Sequence, residues 1–162
     1  VVALSTRHYF SSLERLAEEY RTRIIQISDA AGGKPVDLVG HSMGGLLARY
    51  LVESGRLTGR VNSLASVATP HLGSVLAWVA IGRNMRQMRR GSAFLERLNG
   101  VTSPADVRYI GICSTHDNLV LPWHCALSPR GDNFIIRYRG HLSLLMSRQV
   151  VNILVKQLQA GD

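Results

Sequence analysis

The sequence predicts an α/β fold: a mostly parallel sheet with helices on both faces. Three observations carry that expectation. Short apolar runs alternate with segments of helical periodicity along the chain. The helical segments repeat apolar residues every three or four positions, one face of an amphipathic helix. Glycine and proline stand at the junctions between them. The chain has 162 residues, 46% of them hydrophobic and 19% charged. That suits a single domain over residues 1–162 with a sizeable core.

The elements follow in order. Val1–Leu4 reads as a short strand. From Phe10, the positions Leu13, Leu16, Ala17, Tyr20, Ile24 and Ile27 define a helical face. Gly32, Gly33 and Pro35 end it. Val36–Val39 is an apolar strand, and Leu46–Val52 the next helix, closed by Gly55. Val61–Ala68, Val107–Cys113 and Asn133–Tyr138 are strand-like, and Leu142–Leu158 is a final amphipathic helix. Residues 72–99 are helical, rich in Met and Arg, and break the alternation. They are expected to form a short helical cap inserted over one end of the sheet.

Composition narrows the function classes. No apolar run reaches the roughly 18 residues of a membrane-spanning helix. No basic, apolar and small-residue leader pattern opens the chain, and cytoplasmic and secreted settings both stay open. Lys and Arg number 19 against 11 Asp and Glu, a formal charge of +8. Arg83, Arg86, Arg89 and Arg90 concentrate part of that excess. An anionic partner such as acidic lipid fits the charge, as does a plain solvated basic face. No zinc finger, RNP motif or heptad-linked basic region accompanies it, so a nucleic-acid partner is not expected. Cys113 and Cys125 are too few for a disulfide scaffold and have no metal-ligand spacing. Buried, inert thiols are expected, and no metal site.

The chemistry concentrates at Gly40-His41-Ser42-Met43-Gly44, with Gly45 following, between the strand at 36–39 and the helix from 46. A serine on a sharp strand-to-helix turn is lifted clear of the sheet and becomes a candidate nucleophile. Its backbone is strained, and side chains two residues before or after are expected to clash, so Gly40 and Gly44 are both expected to be required. The following helix N-terminus can stabilise developing negative charge, with the Met43 N–H as an oxyanion donor.

A serine needs a base, and the base an orienting acid. In a parallel sheet, active residues lie past the carboxyl ends of strands. Asp117 is the acid so placed after the serine; Asp106 and Asp132 precede strands, and Asp37 lies within one. His141 follows the last strand and is the expected base. His41 flanks the nucleophile as a structural or substrate-pocket residue. His71 lines the pocket or packs, and Leu72 opens the apolar cap as a candidate substrate contact on an acyl-chain surface.

Val36–Leu46 as a whole resembles the bacterial lipases and esterases of the α/β-hydrolase superfamily. So do Ala68–Ser74, Gly91–Leu95 and Gly140–Leu144. The resemblance spans nearly the whole chain. It implies a triacylglycerol-lipase-like ester hydrolase with Ser42 as nucleophile, Asp117 as acid, His141 as base and no cofactor. It also implies a second oxyanion donor on an upstream loop and a strand beside that of Ser42, neither of which the sequence offers. A chain lacking the N-terminal strands, a fragment or shortened protein, is therefore expected. A thioesterase or acyltransferase on the same triad stays open, as does a non-catalytic hydrolase-fold protein that binds a lipid or a partner.

Overall fold

The computed structural model describes residues 1–5 and 10–160, and its first regular element is helix α1, Leu13–Ala30. Ser12 caps it by accepting from the Arg15 N–H, with Glu14 in the first turn. The expected apolar face is the buried one: Leu13, Leu16, Ala17 and Ile24 enter the core. The helix stops where Gly32 and Gly33 both take φ of 76°, a left-handed turn that residues with a side chain rarely adopt.

Four strands follow: β1 (Val36–His41), β2 (Val61–Val67), β3 (Arg108–Ser114) and β4 (Asp132–Ile136). All pair in parallel in the order β1-β2-β3-β4. Their carboxyl ends, and the loops that leave them, therefore share one end of the sheet. Helix α2 (Met43–Glu53) follows β1 directly; α3 (Arg83–Gln87) and α4 (Ala93–Gly100) lie between β2 and β3; α5 (Arg148–Gln159) closes the fold.

Two apolar clusters cover the two faces. Residues of α1, α2 and α4, with Leu64 of β2, form one; Ala65 and Val67 of β2, Ile110, Ile112, Ile136, Leu144 and Val150 form the other. Leu64 and Ala65 fall on opposite sides because successive strand residues alternate. Each fully buried Leu or Ile contributes roughly 1.5–3 kcal/mol.

The structure differs from expectation in two elements. Residues 1–4 form no strand; Val1 and Val2 are exposed, and Leu4 packs against the first cluster without joining the sheet. The last helix begins at Arg148 rather than Leu142. Residues 142–147 instead form tight turns, with Leu145, Met146 and Ser147 bonding back three residues. The helical period there was misleading: Leu144 alone of its apolar residues is buried, while Leu142, Leu145 and Met146 stay exposed. Residues 72–99 are helical but divide. Ala77, Met88, Phe94, Leu95 and Leu98 belong to the core, whereas Leu72, Val75, Leu76, Trp78, Val79 and Ile81 face outward. Among the described residues no helix is long and apolar enough to cross a membrane.

Candidate active site

Ser42 sits between β1 and α2 with φ 53° and ψ −124°, a conformation that costs on the order of 1–3 kcal/mol in a residue with a side chain. The surroundings hold it there. The Ser42 N–H donates to the Val67 carbonyl at 2.8 Å, carrying the β1–β2 ladder one step beyond the strand. The Ser42 carbonyl accepts from the Gly45 N–H. A Cβ at Gly40 would lie 2.5 Å from the Gly45 backbone, so nothing larger than glycine fits. The partner glycine is not the one expected. A Cβ at Gly44 meets nothing within 4 Å, whereas one at Gly45 would lie 2.0 Å from Thr69 Oγ1. The tight approach is thus between β1 and the third residue of α2, Gly45, which also leans on the loop after β2.

Met43 is the first residue of α2, where helix geometry leaves the N–H without a partner inside the helix. That N–H lies beside Ser42 at the positive end of the helix dipole.

Asp117 follows β3 and is 4% exposed. Its Oδ1 accepts from the Leu119 and Val120 N–H groups, both at 2.8 Å. His141 follows β4 and is 2% exposed. Its Nδ1 lies 3.0 and 2.9 Å from the two Asp117 carboxylate oxygens. Burial works against the charge on Asp117. The bonds from His141, Val120 and Leu119 outweigh it and hold the carboxyl below the ordinary carboxylate range. A carboxylate only accepts, so His141 carries its proton on Nδ1 and leaves the Nε2 lone pair free. The His141 loop is tied down further: its N–H donates to Asn118 Oδ1 at 2.9 Å, and the Ser114 hydroxyl donates to the Arg139 carbonyl at 2.5 Å.

The structure thus joins Asp117 to His141 directly. Among the described residues the Ser42 hydroxyl makes no hydrogen bond, and the contact between the two regions runs through His41. Its ring lies 4.7 Å from that of His141, and its Nε2 lies 3.2 Å from the His141 carbonyl oxygen. His71 packs rather than lines a surface. It is 1% exposed, with Nε2 3.0 Å from Ser66 Oγ and Nδ1 3.5 Å from the Arg49 guanidinium. Leu72 is 46% exposed at the start of the outward strip. Cys113 and Cys125 are buried and free, as expected. Burial and the Asp117 charge push the Cys113 thiol up to about 11, so it stays protonated.

Sequence reasoning passed over the buried Arg49 network. Arg49 donates to Glu53 Oε1 at 2.8 Å, Asn99 Oδ1 at 2.7 Å and the Leu98 carbonyl at 3.0 Å. The signal was a charge at i+3 from Leu46 on an otherwise apolar helix face. Among the described residues no cluster of three or more His, Cys, Asp or Glu side chains is disposed to hold a metal ion.

Comparisons with known proteins agree with this architecture. Residues 10–122 match the family described as PGAP1-like alpha/beta domain. The lipase BlEst2 of Bacillus licheniformis, in mature form, superposes with a TM-score of 0.78 at 15% identity, over 93% of this chain and 76% of that one. The metagenomic carboxyl esterase MGS0156 gives 0.71 at 18% identity, over 83% of this chain and 52% of that one. A monoacylglycerol lipase of Paleococcus ferrophilus gives 0.68 at 12% identity, over 94% and 77%. At these identities the likeness is one of fold, and the fold is that of the α/β hydrolases. No curated protein sequence matches the chain.

Proposed function

The chain belongs to the PGAP1-like alpha/beta domain family, and from that premise we propose that it is a carboxylic-ester hydrolase using Ser42, His141 and Asp117. The observation that carries the reading is the buried Asp117–His141 pair, seated at the same sheet end as the strained Ser42 turn. Lipases and esterases among the fold relatives support the substrate class.

His141 Nε2 takes the Ser42 proton as Oγ attacks the ester carbonyl carbon. The Met43 N–H donates to the oxyanion. The carbon–oxygen bond to the alcohol then breaks, and His141 returns the proton to the departing alcohol. In the second half His141 deprotonates a water, which attacks the acyl-enzyme and releases the acid and free Ser42. Asp117 holds the imidazole in its Nδ1–H form and stabilises its protonated form.

The lipid surface is read from the same sheet end. Of the nineteen exposed large hydrophobic residues among those described, six lie on 72–81, one is Leu119 and four lie on 138–146. All three loops leave the carboxyl ends of strands, around the Ser42 turn. Arg83, Arg86, Arg89 and Arg90 adjoin the first loop, with Glu96 as the single acid in 72–99, and Arg89 stacks on Trp78. This rim, with 72–99 as its cap, suits contact with an anionic lipid interface. Trp78→Ser is expected to weaken sedimentation with vesicles holding an anionic phospholipid, and salt to weaken the wild type. Equal binding to neutral vesicles removes the anionic part of the reading.

The primary test is a fluorophosphonate probe with the adduct mapped by mass spectrometry. Labelling at Ser42 that is lost in His141→Ala is expected. Folded protein that stays unlabelled sinks the catalytic reading in favour of a binding protein. Ester, thioester and transacylation substrates then separate the reaction types.

A further inference from the structure

His141 and Ser42 come from opposite edges of the sheet. β1 and β4 are separated by β2 and β3, three inter-strand steps or about 14 Å. The loop after β4 must therefore lean across two strands to bring an imidazole near the end of β1. Most of what holds it lies on the β3 side. Ser114 holds the Arg139 carbonyl, Asn118 the His141 N–H and Asp117 the His141 ring. Leu144 anchors the loop in the cluster over β2 and β3. A loop held along one side can swing about that side.

One hydrogen bond among those of the described residues reaches back to β1. His41 is the last residue of β1, directly before Ser42, and its Nε2 lies 3.2 Å from the His141 carbonyl oxygen. A carbonyl only accepts, so Nε2 carries the proton and donates. The two rings also lie 4.7 Å apart at 54°. Burial leads the lowering of the His41 pKa, with the neighbouring His141 ring adding to it and the His141 carbonyl and Asp117 acting against it, so the ring is neutral at pH 7. A neutral ring has one N–H, and the acceptor fixes which nitrogen bears it.

We propose that His41 is a positioning residue: its Nε2–H grips the His141 backbone carbonyl and fixes the base loop over the Ser42 turn. The role rests on the hydrolase reading above. It differs from a substrate contact because it acts through His141 and leaves substrate binding alone. A displacement of the base by about 1 Å is enough to cost roughly a hundredfold in rate.

Two substitutions separate donor from ring. His41→Gln keeps an N–H donor near the Nε2 position and loses the ring; His41→Phe keeps a ring and loses the donor. Ester hydrolysis and Ser42 labelling are measured beside thermal unfolding. His41→Phe is expected to lower kcat by about ten- to a hundredfold with KM held within about twofold, and His41→Gln to recover most of it. A raised KM at constant kcat makes His41 a substrate contact and overturns the proposal. So does a loss in melting temperature with unchanged kcat per folded molecule. Wild-type protein without Ser42 labelling overturns the hydrolase reading and this role with it; labelling of His41→Phe at the wild-type rate overturns this role alone. Should His41→Phe fail to fold, the nitrogen shifts of the His41 ring in wild-type protein decide. An Nε2–H form is expected, and an Nδ1–H form overturns the proposal.

Discussion

His141 and His71 are buried to nearly the same degree, 2% and 1% exposed, yet one faces a carboxylate and the other a guanidinium. The Asp117 carboxylate accepts the His141 Nδ1–H, the pairing that the proposed base requires. Burial, with the Arg49 charge adding to it, pushes the His71 imidazole down to about 3. That ring stays neutral and works as a fixed link. The Ser66 hydroxyl donates to the Ile110 carbonyl, so His71 Nε2–H donates to Ser66 while Nδ1 accepts from Arg49. Equal burial therefore leaves the two histidines with opposite neighbours, and the sign of the adjacent charge sets them apart. One region holds a buried imidazole against a carboxylate. The other joins α2 to β2 and, through Asn99 and the Leu98 carbonyl, to α4.

The comparison breaks most visibly in activity. His141→Ala is expected to reduce ester hydrolysis by about 10⁴-fold or more with little change in unfolding. His71→Leu is expected to do the reverse, a modest rate change per folded molecule and a clear stability loss. Steady-state kinetics paired with denaturant unfolding checks both, and equal rate losses would erase the distinction.

Next in size is the cation itself. Arg49→Met leaves the Glu53 carboxylate buried beside no counter-charge on its own helix and Asn99 without a donor. A loss of about 3–5 kcal/mol in urea unfolding is expected.

The pH dependence sharpens the contrast. An unfolded His71 takes up a proton near pH 6.5, whereas the folded one resists until about 3. Between those values the unfolded state binds more protons, so stability is full above about 6.5 and falls as pH drops, by up to about 1.4 kcal/mol per unit. His71→Leu is expected to flatten that decline. His41, also lowered, contributes a residual slope of the same sign. Asp117 acts later, since its stabilisation is lost only below the unfolded carboxylate range. Urea titrations at pH 7, 6 and 5, continued below the ordinary carboxylate range, check the order.

The smallest effects lie at the turn that adjoins both regions. Gly45→Ala drives a Cβ into Thr69 and is expected to cost about 1–3 kcal/mol. Gly44→Ala has open space and is expected to be neutral or to stabilise by up to about 1 kcal/mol. Thermal melts of the two variants are enough to separate them.

Much of this was legible beforehand, for identifiable reasons. Asp117 stood out because it follows a strand where Asp106 and Asp132 precede theirs, and His141 because it follows the last one. The structure joins those two side chains. Glycine at Gly40 was legible, but the second crowded glycine was placed one residue early. Spacing along a turn does not tell which Cβ meets a neighbouring loop, and Thr69 is that neighbour. The helix expected from Leu142 failed because its period continued through turns whose apolar residues point outward.

Local pattern by itself determined the alternation of strands and helices, the buried face of α1 and the strand–turn–helix around Ser42. Those depend on side-chain period and on backbone choices within a few residues. Tertiary structure decided which charges meet. Arg49 with His71, Asn118 with the His141 N–H, and His41 with the His141 carbonyl are pairs 22, 23 and 100 residues apart. Nothing in local sequence sets those distances. They follow from the common direction of four parallel strands, which puts the carboxyl ends of β1, β3 and β4 at one end of the sheet.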